Sequence, residues 1–364
     1  VPVDNTTGYS YQFQNFGKTS NRGIELSVNV DVINKGDFRF NVGAIYNYNR
    51  NKLDELPNAD QYLYSSYWGS SSLVPTNDYM FVEGKAIGLV RGFISEGYYT
   101  VDDFNYTNGQ YVLKEGVPDI TKALTATYMH PYDLPAGQTA FPGAAKFRDV
   151  DESGTVDLDD ATCLGEVMPR HTGSFQLNFN YKNFDLSTNF NWTAGGKVYN
   201  VAAMINASGQ EFDGIGAQRA SWVADAFKVY NVNAAGDLYA VTNPDELRAL
   251  NANAKYHLPY HQSGITSSEW LENGSYLRLQ TLTLGYTLPK NWLTKVHVDK
   301  IRLYLTATNL FTITGYSGID PEVNANPTGQ SGFYSDLRIF PTLNMDFGTY
   351  PRARTFTFGA NITF

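Results

Sequence analysis

The stretch that decides the fold class is Arg354-Thr355-Phe356-Thr357-Phe358-Gly359-Ala360-Asn361-Ile362-Thr363-Phe364. Its Phe, Ala and Ile residues share one parity, and its Thr, Gly and Asn residues share the other. A period of two predicts a β-strand with one apolar face and one small polar face. The stretch is about as long as a tilted strand that crosses a bilayer. A strand of a soluble β-sandwich explains the alternation equally well, so the rest of the chain must decide between the two.

Two hairpins upstream repeat the pattern. In the first, residues 24–32 and 38–49 alternate on either side of a turn at residues 34–37, which is rich in residues that tolerate positive φ. In the second, residues 175–181 and 184–192 flank a tight turn at Lys182-Asn183. Each hairpin has an apolar face and a face of amide, hydroxyl and charged groups. That polar face suits a water-filled lumen, but it also suits the outer face of a two-layer sandwich.

The later strands add an irregularity and a pattern of connections. Leu277 and Leu279 share one parity and Leu282 and Leu284 the other, which predicts either a β-bulge near Gln280-Thr281 or a strand that moves between environments there. We expect about ten strands in all. The short turns at 34–37, 182–183 and 289–300 alternate with long loops, and this asymmetry is typical of an outer-membrane barrel.

Long segments between the strands support the same interpretation. Residues 51–78 read as a loop whose aromatic side chains either stack on sugars or pack on the loop itself; they are Tyr62, Tyr64, Tyr67 and Trp68. Residues 101–170 read as a long irregular segment. Such a stretch is unusual in a compact soluble domain and ordinary in the extracellular loops of a barrel.

The composition narrows the possible functions. The chain has 364 residues, of which 15% are aromatic and 17% are charged, and Tyr and Phe are abundant. Aromatic rings at two water–lipid interfaces would produce this bias. The formal net charge of −9 argues against nucleic acid as a partner. No apolar run approaches the ~20 residues of a membrane helix, no signal peptide is visible, and the abrupt start at Val1 suggests a fragment.

Several segments together resemble one family. They are residues 20–26, 276–286, 309–316 and 318–322, followed by the terminal aromatic strand. In this order they are similar to the SusC/RagA family of TonB-dependent outer-membrane transporters. The resemblance runs across nearly the whole chain, residues 1–364, but it covers only the C-terminal part of such a transporter.

The resemblance implies a fold and a mode of action. The fold is all-β: the C-terminal part of a large transmembrane antiparallel β-barrel, 22-stranded in the family, with long extracellular loops that include residues 101–170. It implies active uptake of a nutrient, a glycan or an oligopeptide, across the cell outer membrane. The expected partners are a SusD-like surface lipoprotein as a lid, the TonB complex through the missing N-terminal part, and outer-membrane lipid. The plug domain and first strands have no counterpart here.

The most specific local motif is an acidic loop at residues 149–160. Its spacing matches the calcium-loop pattern, with Gly154 at the sharp turn and oxygen ligands at fixed positions. The candidate Ca²⁺ ligands are Asp149, Asp151, Ser153, Thr155 through its carbonyl, Asp157 and Asp160. Asp160 stands where the pattern has a bidentate Glu. The alternative is an acidic Gly turn stabilised by its own side-chain hydrogen bonds.

Enzymatic interpretations have little support, so we predict that the protein is not an enzyme. No carboxylate pair is marked out as a glycosidase dyad. His257 and His261 have metal-ligand spacing, but Pro259 between them argues against a regular helix and no third ligand is indicated. Cys163 has no nucleophile context. Two other functions remain as alternatives to active transport: a passive porin, and a secreted calcium-binding β-sandwich that acts as an adhesin or carbohydrate-binding protein.

Overall fold

A computed structural model describes residues 17–57, 60–65, 73–125, 130–208, 220–258, 264–294, 298–323 and 343–364. Tyr67, Trp68 and His261, which the sequence singles out, lie outside these ranges. Within them, no helix is long and apolar enough to span a membrane.

The first predicted hairpin is present and is longer than its alternation shows. β1 (Lys18–Lys35) pairs with β2 (Phe38–Glu55) across a two-residue turn. Gly36 occupies the left-handed region there with φ of 58°, a conformation that costs glycine little. The register shifts between Asp31 and Ile33, which makes Val32 a bulge residue. Alternation could not reveal this bulge, because Val32 and Ile33 are both apolar.

The chain between the first two hairpins is more ordered than its sequence indicates. The irregular segment predicted at 101–170 contains short strands packed around a buried core that includes Phe93, Tyr99, Tyr111 and Phe141. Two 3-10 helices lie at Val101–Asp103 and Leu158–Asp160. The other elements are β3 (Gln61–Tyr64), β4 (Leu73–Val74), β5 (Tyr79–Val82), β6 (Leu89–Gly92), β7 (Ser95–Tyr98), β8 (Phe104–Thr107), β9 (Gln110–Leu113), β10 (Asp119–Ile120), α1 (Lys122–Thr125), β11 (Ala145–Phe147), β12 (Thr155–Val156) and β13 (Thr162–Glu166).

The second hairpin matches its prediction and is followed by another structured connection. β14 (His171–Tyr181) pairs with β15 (Phe184–Ala194), and Lys182 in the turn has φ of 51°. The connection contains β16 (Lys197–Asn200), α2 (Val201–Ser208), α3 (Ala220–Asp225), β17 (Tyr230–Val232), β18 (Leu238–Ala240), α4 (Pro244–Leu250), β19 (Gly264–Ile265), a 3-10 helix at Ser268–Trp270 and β20 (Leu271–Asn273). Helix α4 is capped at its start: Asn243 accepts hydrogen bonds from the backbone amides of Asp245 and Glu246 at 3.0 and 3.2 Å.

The last part of the chain contains the predicted bulge and the terminal strand. Its elements are β21 (Tyr276–Thr287), α5 (Lys290–Leu293), β22 (Lys300–Thr314), β23 (Met345–Asp346) and β24 (Thr355–Thr363). Against β15 the register shifts between Leu279 and Thr281, so Gln280 is the extra residue there. Against β22 the register shifts at the same place, but Asn309 and Leu310 stand opposite Gln280, so the extra residue lies on β22. Of the two explanations for the change of parity, the structure shows the bulge.

One antiparallel sheet contains the long strands, in the order β1-β2-β14-β15-β21-β22-β24. Within the described residues this sheet has seven strands, and the other strands described there belong to the connections. The short connections β1–β2, β14–β15 and β21–β22 lie at one end of the sheet. The long ones, β2–β14, β15–β21 and β22–β24, lie at the other end, which confirms the predicted asymmetry.

The sheet has a polar face and an apolar face along its whole width. One row of paired residues crosses all seven strands on the polar face: Asp31, Asn41, Asn178, Ser187, Thr283, Thr306 and Thr357. A neighbouring row crosses on the apolar face: Ile33, Phe40, Phe179, Leu186, Leu284, Leu305 and Phe358. The apolar face is uncovered at both edges, where Ile24 is 69% exposed and Phe358 is 73% exposed.

Gly173 permits an aromatic contact on the apolar face. It pairs with Tyr46 on one side and Trp192 on the other, and the rings of those two residues stack over it with centroids 6.1 Å apart. A Cβ at Gly173 would lie 2.7 Å from the Trp192 ring and 2.4 Å from the carbonyl oxygen of Ile45. A Cβ at Gly43 would meet nothing closer than 3.9 Å.

We therefore expect Gly173→Ala to destabilise the sheet by about 1–3 kcal/mol, the usual cost of overpacking. Gly43→Ala is the matched control and, since its methyl group has room, should stabilise the sheet by at most about 1 kcal/mol. Thermal unfolding of the detergent-solubilised full-length protein would measure both. Equal midpoints for the two variants would contradict the packing described here.

Candidate functional site

The polar face of the sheet is the first candidate site, because it joins hydrogen-bonding groups from every strand. The Asn41 amide donates to Asn29 at 2.7 Å and to Asp31 at 2.9 Å. Ser187 donates to Asn178 at 2.7 Å. On the other half, the hydroxyls of Thr283 and Thr306 are 2.9 Å apart. Most of these groups are neutral amides and hydroxyls, which donate and accept hydrogen bonds as sugars and peptide backbones do.

The acidic loop at 149–160 is the second candidate site. Carboxylate oxygens of Asp149, Asp151 and Asp160 all lie within 4.8 Å of one another. Among the described residues, no Lys or Arg forms an ion pair with any of the three. Hard oxygen ligands at this spacing suit Ca²⁺, and a bound cation would offset the repulsion among three carboxylates.

Backbone amides hold these carboxylates in place. Asp160 is fully buried and accepts hydrogen bonds from Val150 at 2.6 Å and Asp157 at 2.8 Å. Asp149 accepts from Ser153 at 3.1 Å and from Gly154 at 2.7 Å. The turn at Gly154 needs its φ of 88°, which side chains disfavour. These are the internal hydrogen bonds that a self-stabilised acidic Gly turn requires. They are equally compatible with a Ca²⁺ site.

The structure brings only part of the predicted ligand set together. The Ser153 hydroxyl donates to the Thr155 carbonyl at 3.0 Å, so these two groups bond to each other. The Asp157 carboxylate caps the following 3-10 helix by accepting from Asp159 at 2.8 Å. Hydrogen bonds from Ser153 lower the pKa of the Asp151 carboxyl, which keeps that group ionised. Spacing alone could not show that Asp157 serves as a cap.

The loop is fixed to the core of the first long connection. β12 pairs in parallel with β10, and Val156 on β12 is fully buried. The amide of Asp119 also donates to the Gly154 carbonyl at 3.1 Å. A cation bound here would therefore stiffen a connection that already has its own core.

The histidine and cysteine candidates do not form a site in the described part of the chain. His257 is buried beside Trp222, and its Nδ1 lies 2.8 Å from the Leu258 carbonyl. Burial lowers the pKa of His257 to about 4, so the imidazole is neutral near pH 7. Within the described residues, the three aspartates of the acidic loop are the group of metal-ligating side chains whose ligand atoms all lie within 4.8 Å of one another.

Comparison with known proteins agrees with the resemblance noted in the sequence. No protein-family model matches the chain. TonB-dependent receptor P3 of Formosa agariphila is 29% identical over 364 residues, covering all of this chain and 30% of that protein. TonB-dependent receptor SusC of Bacteroides thetaiotaomicron is 24% identical over 374 residues, covering all of this chain and 28% of that protein. The chain thus spans about a third or less of the length of the curated relatives it matches.

Solved structures show the same fold. The RagAB peptide transporter matches with a TM-score of 0.63 and 20% identity, covering all of this chain and 31% of that chain. The RagAB peptide importer in the open-open state matches with a TM-score of 0.60 at the same identity. The similarity to SusC/RagA TonB-dependent transporters is confirmed, and so is the all-β fold. The names are those of receptors and transporters, in agreement with the prediction that the protein is not an enzyme.

If the acidic loop binds Ca²⁺, Asp151→Asn should weaken that binding at least about tenfold, because it removes one carboxylate from a shared site. Asp151 is exposed, so the fold should survive. Asp237→Asn, in an exposed turn elsewhere, is the matched control and should leave binding unchanged. Isothermal titration of the metal-depleted full-length protein with Ca²⁺ measures both. The absence of any Ca²⁺ binding by the unaltered protein would leave the loop as a self-stabilised acidic turn.

Proposed function

We propose that this chain is the C-terminal part of a TonB-dependent transporter of the SusC type, which takes up a nutrient across the outer membrane. The observation that carries the proposal is the seven-stranded sheet with one apolar and one polar face. In this assignment the apolar face contacts lipid and the polar face lines the lumen. The long connections then lie on the extracellular side and the short turns on the periplasmic side.

Exposure of the apolar face argues against the soluble alternative. A secreted β-sandwich would cover that face with a second sheet. Here the side chains of Leu26, Val30 and Phe356 are 56%, 48% and 66% exposed. A continuous apolar surface of this kind is a liability in water and a requirement in a bilayer.

Aromatic residues lie near both ends of the apolar face. Phe38, Tyr181, Phe184 and Tyr286 form one row near the short turns. Tyr46 and Trp192 lie on the same face near the long connections. Phe184 and Trp192 are eight positions apart on β15, or about 27 Å along a strand. A tilt of ~40° reduces that to about 21 Å, comparable with the ~25 Å apolar band of an outer-membrane barrel.

The sheet edges indicate that more strands complete the wall. β1 pairs on one side with β2, and β24 pairs on one side with β22. An open edge in lipid leaves backbone groups without partners, which costs several kcal/mol per group. We infer that strands elsewhere in the full-length protein close a 22-stranded barrel and that a plug domain occupies it.

The partners and cargo follow from the same proposal. A SusD-like lipoprotein would act as a lid over the long connections, and the TonB complex would supply energy through the N-terminal part. The polar face, in which amides and hydroxyls outnumber charged groups, fits a glycan or an oligopeptide equally well. RagAB is named a peptide transporter, and this favours peptide as the first cargo to test. A Ca²⁺ ion in the acidic loop would stiffen one extracellular connection.

Two adjacent residues on β22 test the assignment of the faces. Leu305 lies on the apolar face and Thr306 on the polar face. Leu305→Arg should reduce stability in a bilayer by about 1–3 kcal/mol, because Leu305 lies between the short-turn aromatic row and the midplane and the cost of a lipid-facing Arg rises from about 0–1 kcal/mol at the interface to about 2–4 kcal/mol at the midplane. Thr306→Arg should cost less than about 1 kcal/mol, because its side chain reaches water. Reversible unfolding from phospholipid vesicles would measure both, and a larger cost for Thr306→Arg would reverse the assignment.

Uptake measurements test the transporter against the porin alternative. Cells that express the full-length protein should accumulate a labelled oligopeptide or glycan, and deletion of TonB should abolish that accumulation. The control is a strain that lacks this protein but retains TonB. Accumulation that persists without TonB would indicate passive diffusion and would overturn the active mechanism.

A further inference from the structure

A buried guanidinium lies where the sheet meets its long connections. Arg278 on β21 is 2% exposed and faces the polar side, between Asn191 on β15 and Thr312 on β22. Its Nη2 donates to Asp320 at 2.5 Å, its Nη1 to Glu322 at 3.0 Å and its Nε to the Thr312 hydroxyl at 3.0 Å. All three nitrogens of the group are therefore used.

A second arginine closes these contacts into a ring. Nη2 of Arg352 lies 2.9 Å from Glu322, and its Nε lies 3.9 Å from Asp320. Arg278 and Asp320 are buried, whereas the side chains of Glu322 and Arg352 are 42% and 44% exposed. The ring contains two cations and two anions, so its formal charge is zero.

The four residues come from three separate places in the chain. Arg278 belongs to the sheet. Asp320 and Glu322 follow β22, on the outgoing limb of the β22–β24 connection, and Arg352 precedes β24 on the returning limb. The two limbs also contact each other directly, since the Tyr316 hydroxyl donates to Asp346 at 2.6 Å.

We propose that Arg278, Asp320, Glu322 and Arg352 form a releasable clasp. It holds residues 318–323 and 348–352 at the long-connection end of the polar face, while Ser317 stays anchored by Glu272 and Met345 by the pairing of β23 with β16. When the clasp is closed, these two stretches cover Arg278. When it opens, both stretches move away and expose Arg278.

Electrostatics gives the clasp its two-state character. A buried charge is tolerated when its partners are in place and becomes strongly unfavourable when one partner is lost. Asp320 and Arg278 are both buried, so neither can keep its position after the other is withdrawn. Glu322 contacts both arginines, so opening at either one weakens the other. The limbs therefore move as a local cooperative unit rather than residue by residue.

Hydrogen–deuterium exchange on the full-length protein in detergent tests this proposal. Arg278→Met removes the charge and keeps an unbranched side chain of similar width. We expect the amides of residues 318–323 and 348–352 to exchange at least about tenfold faster, while β14 and β15 keep their rates. Arg302→Met is the matched control, because it breaks another Arg–Asp pair on the same face, with Asp185 at the short-turn end. It should leave both limbs unchanged.

A second pair of variants keeps the proposal testable if Arg278→Met fails to fold. Arg352→Met should accelerate exchange on both limbs, and Arg352→Lys, which keeps the charge, should restore most of the protection. Faster exchange on the returning limb alone would show that the limbs are independent, and would overturn the clasp. Unchanged exchange in all variants, or equal acceleration throughout the sheet, would overturn it as well.

Discussion

The rest of the structure depends on the register of the seven-stranded sheet. Side chains alternate between the two faces, so a slip of one residue in any strand would move its apolar side chains to the polar face. Tight turns at Gly36 and Lys182 fix the register of two hairpins. The bulges at Val32 and Gln280 each shift it by one residue, which keeps the apolar side chains on one face. Because the register holds across every pair, the rows on each face remain continuous.

The two faces are stabilised by different interactions. On the apolar face, aromatic rings stack between neighbouring strands: Phe40 lies 4.3 Å from Phe179 and Phe175 lies 4.5 Å from Phe190, measured between ring centroids. Such pairs contribute roughly 0.5–1.5 kcal/mol beyond the area they bury. On the polar face, amides and hydroxyls bond across strands, and each bond adds about 1 kcal/mol net. The stacked aromatic rings exclude water, whereas the amides and hydroxyls can also form hydrogen bonds with water. Only the polar face is therefore suited to a hydrated cargo.

The long connections order many residues that lie away from the sheet. They do so with buried clusters of their own, such as Tyr79 and Tyr199 with Met204. Several of their carboxylates accept hydrogen bonds from nearby backbone amides. The Asp119 carboxylate accepts backbone hydrogen bonds from Ala140 at 2.7 Å and Ile120 at 2.8 Å, as Asp160 does in the acidic loop. Backbone N–H groups can hold a carboxylate but not a guanidinium, which only donates and needs oxygen acceptors; when it is buried, carboxylates also balance its charge. Arg278 finds those anions on the β22–β24 connection.

The sequence by itself determined the strands of both hairpins, the bulge at Gln280, the alternation of short and long connections and the identity of the apolar face, because all of these follow from a period of two along the chain. It also located the acidic loop, because calcium-loop spacing is local. It did not show that residues 101–170 contain a folded core, nor that Asp157 serves as a cap. Nor did it show that Asp320 and Glu322 meet Arg278 on one side and Arg352 on the other. Those contacts join residues up to 44 positions apart, and only the closed packing of the tertiary structure determines which distant charges share a buried site.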